Sequence, residues 1–496
     1  MADRLDVSNL RETNRIEAKL AKHGLPHSIW ETYSSFANTD GGKILLGVAE
    51  DKATRKLSIS GVSDTEKLIR DFWNTLNDRT KVNINILTDE DISVQSEDGK
   101  DIIIVNVPAA RRENKPVYLG PNPLTGAYRR NADGDYHCTA DESRAMLRDS
   151  SLTPLDRKIV DEVDLNAISK DTLNTYRKNL AFRRPDHPWN DLPDKDFLLK
   201  LNAVDFAKDF TLHPTRAGLL MFCDNQAITR EFPDYFLDYH EKLGQNRWDD
   251  RIISTEGTWS GNLYDFWLKV TTKLIAAIPH PFRLAPNMQR IDEGPMDKAV
   301  REALTNTLVH ADYYGRRGTV VIRKLDCLEF TNPGGLRLTK DEVLQGGISD
   351  SRNPTLLAMF NLVGGGERMG SGFDVMRQGA ADIGAEEPTL TTTPSFPNRT
   401  TLTVPIKNVK KEETTPPIIA VQKKIKNDEP RIRPTKSPEK SILSILSSTS
   451  KKTANEISQQ LGMSKSWTQK HLRRLIADGQ VIREGGSKNI EYRRAK

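Results

Sequence analysis

Anion chemistry is written most plainly in Glu367-Arg-Met-Gly-Ser-Gly-Phe373, a glycine turn opening a helix that runs through Arg377. Free backbone N–H groups and the helix dipole face outward together at such a turn, which favours a phosphate. Upstream, Met296 to Tyr313 (MDKAVREALTNTLVHADY) sets Glu302, Asn306 and His310 at i, i+4 and i+8. They form a polar stripe opposite an apolar face of Val300, Leu304 and Leu308. Spacing alone fits a solvated face equally well. The following turn, Asn332-Pro-Gly-Gly-Leu336, has glycines that let backbone approach a ligand, and the order helix, turn, glycine loop points to a ligand site. A second group is the carboxylate pair beside a lysine in Glu12-x4-Glu17-x-Lys19, with acidic Glu50 and Asp51 further on. Its plain alternative is a structural pairing of Glu17 with Lys19 or Arg15. No G-x4-G-K-[ST] loop and no H-E-x-x-H pair occurs, so His310 reads as a motif or packing residue rather than a metal ligand.

These groups need elements to hold them. Arg11 to Lys19 reads as strand-like, and Trp30 to Asn38 as a helix with Ile29, Tyr33 and Phe36 on one face. That helix stops at the breaker cluster Asn38-Thr-Asp-Gly-Gly42. Lys43–Val48 and Ile102–Val107 read as strands, followed by a basic stretch with Arg111, Arg112, Lys115, Arg129 and Arg130. Val320 to Phe330 alternates like strands around a turn. The expected division is 1–148, a mostly helical connecting region 149–289, 290–406, a flexible basic linker 407–439, and 440–496. Trp248, Trp259 and Trp267 of the connecting region are expected in the core.

Composition limits the class. The 496 residues are 36% hydrophobic and 28% charged, enough for real cores, and no run approaches a membrane span. Met1 to Leu10 lacks a signal peptide's apolar core, and the three cysteines lie far apart, so a cytoplasmic protein is expected. The net charge of +5 is a sum of unlike parts: Lys407 to Lys496 holds 21 basic and 9 acidic residues, against 52 and 59 in the rest. A basic tail on an acidic body is a common footprint of nucleic-acid binding.

FANTDGGKILLGV, the upstream E-x4-E-x-K, and the KPVYL and YRR segments together resemble the Schlafen AlbA-type domain over about residues 8–145. In nuclease members of that family three carboxylates bind a divalent metal, Mg²⁺ or Mn²⁺, that activates water and stabilises the departing phosphate oxygen. The resemblance would assign Glu12, Glu17 and one of Glu50 or Asp51, with Asp51 preferred, and Lys19 for phosphate charge. REALTNTLVHADY, NPGGL, SRNP and ERMGSGF resemble the divergent GHKL-type ATP-binding domain of RecG-related proteins. That likeness implies Asn306 on Mg²⁺ at the ATP phosphates and Glu302 orienting or deprotonating the attacking water. It sets Gly334 and Gly335 at the adenine side, Gly370, Ser371 and Gly372 at the phosphates, and Gln345 to Asn353 in a lid. His310, Asn332 and Arg352 complete the nucleotide set, Asn332 standing where the usual motif has an Asp.

The last 56 residues follow the helix-turn-helix plan and resemble the winged-helix family, with Ser464 as cap of the recognition helix. Lys465, Ser466, Gln469, Lys470 and Arg473 would face a major groove, and Arg474 and Lys488 would meet phosphates.

The expected fold is thus α/β and α+β multidomain: a mixed-sheet AlbA/Schlafen-type domain, a helical middle region, a GHKL-like α/β sandwich and a winged helix-turn-helix. The expected function is an ATP-gated, metal-dependent nuclease acting on DNA or RNA, with a place in defence against foreign DNA implied by the company such proteins keep. The alternative is an ATP-responsive transcriptional regulator without nuclease activity. A homo-oligomer without membrane contact is expected in either case.

Overall fold

A computed structural model describes residues 7, 10–22, 24–51, 53–278, 294–366, 370–393, 397–407, 438–447, 451–461, 464–484 and 490–495, with backbone alone for 438, 440, 441, 465 and 466. The chain forms two compact units, 1–414 and 415–496.

The first region of the larger unit is built on a four-stranded sheet. Strand β1 (Ile16–Lys19) runs parallel to β2 (Gly42–Leu46); β3 (Ile92–Glu97) and β4 (Lys100–Val107) complete the order β1-β2-β4-β3. Strand alternation sends Ile16 and Ala18 to a small apolar cluster with Leu45, Val48 and Ile102. Glu17 and Lys19, one residue out of phase, are left for the other face. Helix α1 (Ile29–Asn38) covers that face with Ile29, Tyr33 and Phe36, as its periodicity predicts. The separate sequence motifs meet at its last residue. Asn38 Nδ2 donates to the carbonyls of Val117 (2.8 Å) and Tyr128 (2.9 Å), and its Oδ1 accepts from Val117 N (2.8 Å), tying FANTDGG to KPVYL and YRR. The hairpin β5 (Tyr128–Asn131) and β6 (Gly134–His137) then leads into α2 (Ala140–Asp149).

Residues from Val160 to Ile406 share one hydrophobic core, so the expected border at 289/290 is not a border in the fold. The connecting region gives β7 (Leu237–Lys242) and β8 (Asp250–Ile253) to a six-stranded sheet. It also gives helix α3 (Leu263–Ala276), followed by α4 (Pro295–Val309). The remaining strands are β9 (Thr319–Lys324), β10 (Cys327–Pro333), β11 (Thr389–Thr392) and β12 (Arg399–Pro405), in the order β8-β7-β9-β10-β12-β11. Within this sheet only the β7–β9 pairing is parallel. Helices outweigh strands in the connecting region, but β7 (LDYHEK) and β8 (DRII), too short and polar to read as strands in the sequence, join it to the sheet. Helices α5 (Pro354–Leu362) and α6 (Gly372–Ile383) complete an α/β sandwich of GHKL type. α4 and α6 approach closely because Gly379 has no side chain: a Cβ there would stand 2.6 Å from that of Ala299. Trp267 is buried and bonds Thr305 Oγ1 at 3.0 Å. Trp248, expected in the core, is instead 39% exposed between the guanidinium groups of Arg247 and Arg251.

The smaller unit is a winged helix. α7 (Pro438–Ile445), α8 (Ala454–Leu461) and α9 (Lys465–Ala477) pack around Ile457, Leu461, Leu472 and Leu475. β13 (Lys452–Thr453), β14 (Val481–Glu484) and β15 (Glu491–Arg494) form its sheet.

Candidate functional site

The carboxylate pair of the first region is assembled, and its charge is met from within the protein. Glu17 Oε1 accepts from Lys19 Nζ at 2.7 Å, and Glu17 Oε2 from Arg130 Nη2 at 2.8 Å. Arg130, its side chain 2% exposed, lies over the Phe36 ring and also donates to Asp135 Oδ1 at 2.9 Å. Asp135 in turn takes the hydroxyls of Thr32 (2.6 Å) and Ser35. Such charge-assisted pairs are strong when buried and leave few lone pairs for another cation. Glu12 Oε1 accepts from Ala18 N at 2.9 Å. Burial, reinforced by the charges of Glu17 and Glu50, raises its pKa.

Asp51 is not brought to this pair. It is exposed and turned into its own loop, accepting from Ala53 N (2.8 Å) and Thr54 N (3.0 Å), which lowers its pKa. The acid whose charge reaches Glu12 is Glu50, the last residue of strand Val48–Glu50. Among the described residues no three His, Cys, Asp or Glu side chains are grouped so as to hold a metal ion. With both oxygens of Glu17 taken by cations, the donor set Glu12, Glu17 and Asp51 does not fit one.

The second site is a cavity lined by Glu302, Asn306, His310, Asn332, Gly335, Gly370 and Gly372, with apolar walls from Leu336, Leu357, Phe373, Met376, Leu390 and Leu402. Apolar walls around a few polar groups suit a base and its phosphates. At the polar end Asn306 Nδ2 donates to Glu302 Oε1 at 3.0 Å, which fixes the amide and leaves Oδ1 as its ligating atom. α6 starts directly opposite: a Cβ at Gly372 would stand 2.7 Å from Asn306 Nδ2 and 2.8 Å from Glu302 Oε1. Gly370, at φ +66°, lies so close to Ile348 that a Cβ would meet its backbone at 2.6 Å. Ser371, the residue before α6, holds a buried Oγ with no hydrogen-bond partner. The first N–H groups of α6, which no helical carbonyl precedes, and the glycine positions 370 and 372 on the cavity wall suit an anion, so these residues fit ATP phosphates with Mg²⁺ on Asn306.

Asn332 spends its Nδ2 on the carbonyls of Pro333 (3.0 Å) and His310 (3.4 Å), which presents Oδ1 as an acceptor. Burial, then the guanidinium charges of Arg352 and Arg337, pull the His310 pKa down to about 4, so its ring is neutral. Two expected nucleotide residues serve elsewhere. Arg352 makes a two-pronged pair with Asp149 (2.7 and 2.9 Å) and donates to the carbonyls of Gly335 (3.1 Å) and His310. Gly334 faces Arg352, where a Cβ would meet Nη1 at 2.7 Å. Glu367 to Met369 of the glycine motif lie outside the described residues.

On the winged helix, Ser464 Oγ accepts from Trp467 N at 3.2 Å, the expected cap of α9. Lys470, Arg473 and Arg474 are exposed along that helix and Gln469 is half-buried. Lys465 and Ser466 begin the helix, their side chains outside the described residues, and Lys488 lies wholly outside them. Sequence reasoning missed Arg130 as the partner of Glu17, the pairing of Arg112 with Asp350, and Asp135 and Arg337 altogether. An asparagine-like turn at Asp51-x-Ala-Thr was the one available signal against Asp51.

Comparisons with known proteins find four family matches along the chain. Residues 12–139 match the family described as "Schlafen, AlbA_2", and 144–238 match a domain of unknown function, DUF8451. Residues 320–403 match "Putative ATP-dependent DNA helicase recG C-terminal", and 439–482 match "Winged helix-turn-helix DNA-binding". No curated protein matches the chain. The crystal structure of the DIP2311 protein from Corynebacterium diphtheriae aligns over 100% of this chain and 95% of its own, at 17% identity and a TM-score of 0.40. The N-terminal domain of a RecG-related protein from Nitrosomonas europaea is 32% identical, over 27% of this chain and 86% of that domain, with a TM-score of 0.21. The chain belongs to the Schlafen AlbA-type proteins of the RecG-related family, which join that domain to a RecG-type ATP-binding fold and a winged helix.

Proposed function

We propose that this chain is an ATP-responsive nucleic-acid-binding protein whose first region binds without metal-dependent cleavage. Two observations support the reading: both oxygens of Glu17 are taken by cations, and the glycine turn that opens α6 lines the cavity beside Asn306 and Glu302. In the cavity the first N–H groups of α6 would receive phosphate oxygens, and Asn306 Oδ1 would hold Mg²⁺. That ion would offset phosphate charge. Glu302, fixed by Asn306, is positioned to orient a water and accept its proton. Asn332 Oδ1 accepts from an amino group of the base, as a neutral partner weaker than a carboxylate. Lys470, Arg473 and Arg474 offer the winged helix's cations to DNA phosphates, an association that weakens steeply with salt.

Titration calorimetry with ATP and Mg²⁺ tests the cavity: binding by the wild type and its loss in Asn306→Ala are expected. Absence of binding, or an unchanged Asn306→Ala, overturns it. Gel shifts with and without ATP, run beside cleavage assays on single-stranded RNA, tRNA and DNA, test the rest. A second reading, an ATP-gated nuclease with a defensive role, is favoured by the gathering of Glu12, Glu17 and Glu50. Metal-dependent cleavage that disappears in Glu17→Ala would select it.

A further inference from the structure

The segment Ser349–Leu357 has two faces. On one side it borders the nucleotide cavity, where Ser349, Asp350 and Leu357 contribute to the wall. On the other it is fastened at three points, two to the first region and one to the chain that follows α2. Asp350 pairs with Arg112, which also donates to the carbonyls of Asp149 (2.9 Å) and Ser151 (3.3 Å). Arg352 grips Asp149, the last residue of α2, and from the same guanidinium reaches the Gly335 carbonyl on the cavity side. Asp156 accepts from Thr355 N (2.7 Å), Leu356 N (3.0 Å) and Thr355 Oγ1 (3.0 Å), so it caps α5 from outside.

Arg337 stands where the two faces join. It lines the cavity and donates to the carbonyls of Ser351 (2.8 Å) and Asp149 (3.3 Å). Its Nε is buried without a hydrogen bond, 3.6 Å from Asp350 Oδ2. An anion entering the cavity therefore meets a guanidinium with an N–H to spare, and a carboxylate, Asp350, that it repels. Buried charged pairs exchange partners in discrete steps rather than bending gradually.

We propose that nucleotide occupancy is passed to the first region through Arg337, Asp350 and Arg112, with Asp149 and α2 as the receiving element. Arg337 turns toward the phosphate charge, Asp350 is left to Arg112, and the Arg112 and Arg352 contacts on Asp149 readjust together. The proposal rests on the nucleotide reading of the cavity. By linkage, a ligand held by the first region must alter ATP affinity by the same factor that ATP alters its own.

Hydrogen–deuterium exchange on the full chain, with and without ATP and Mg²⁺, tests this beside calorimetry on the same preparations. In the wild type ATP should change exchange several-fold in Ala140–Asp149. Arg112→Gln should bind ATP within about threefold of wild type, below the usual range of coupling, yet lose the change in α2. Arg112→Lys, which keeps the charge, should retain part of it, an outcome that a misfolded chain would not give. ATP binding without any change in α2, or an Arg112→Gln response equal to wild type, overturns the coupling alone. A wild type that binds no ATP overturns the cavity reading, and the coupling falls with it.

Discussion

The two acidic sites of the larger unit are opposites. Around Glu17 the protein supplies its own counter-charges, from Lys19 on the same strand and Arg130 on a hairpin far along the chain. Around Glu302 stand the Asn306 amide and the bare Cα of Gly372 at the start of α6. Both contain carboxylates near helices, and composition alone would rank the first as the richer catalytic site. The difference lies in what the surroundings supply: both Glu17 oxygens rest on cations of the protein, whereas the cavity offers an amide and the first turn of a helix.

The comparison breaks first at Arg130. Arg130→Ala strips Glu17 and Asp135 of their shared cation and should cost about 3–5 kcal/mol, read by urea denaturation. A loss below about 1 kcal/mol would mean that the cluster is open enough to accept a cation from solution. Next comes acid. The folded-state pKa of His310, about 4, lies below the ordinary 6.5, so its contribution is complete above pH 6.5. It fades as pH falls toward 4, because the unfolded chain takes up a proton that the folded one refuses. Stability should drop by about 2–3 kcal/mol from this group between pH 7.5 and 4.5, and His310→Gln should flatten that slope.

Smaller effects sharpen the contrast. Gly372→Ala places a methyl against Asn306 and Glu302 and should weaken ATP binding at least about tenfold, measured by calorimetry. Glu50→Gln should lower the Glu12 titration midpoint observed by carbon NMR, because it removes one of the charges that raise it; Asp51→Asn should leave it in place. Least of all, Lys470→Ala should reduce the salt slope of DNA binding by about one.

Much of this architecture is legible in the order of residues alone. Helix α1, the Glu302–Asn306 spacing, the glycine turn and the Ser464 cap all depend on neighbours within a few residues, and local periodicity carries them. The partner of Glu17 does not, since Arg130 is 113 positions away. Arg352 occupies a familiar motif position, but its role is decided by Asp149, 203 positions earlier. Asp51 and Glu50 differ by a single residue, which in a strand means opposite faces and at a strand end means sheet or loop. β7 escapes sequence reading because its second partner, β9, comes only after α3 and α4, and β8, at the sheet edge, is held by β7 alone.

The carboxylate of Asp156 seated on the start of α5 has a practical meaning for cutting this protein apart. The family match for the ATP-binding fold begins at residue 320, yet α4 precedes it and the cap of α5 lies earlier still. A fragment begun at residue 157 would expose two backbone N–H groups and a hydroxyl that no residue of its own can reach. The piece inherited as a recognisable sequence unit is thus smaller than the piece that can stand alone, and the smallest self-sufficient body around the cavity includes the stretch of chain between α2 and Asp156.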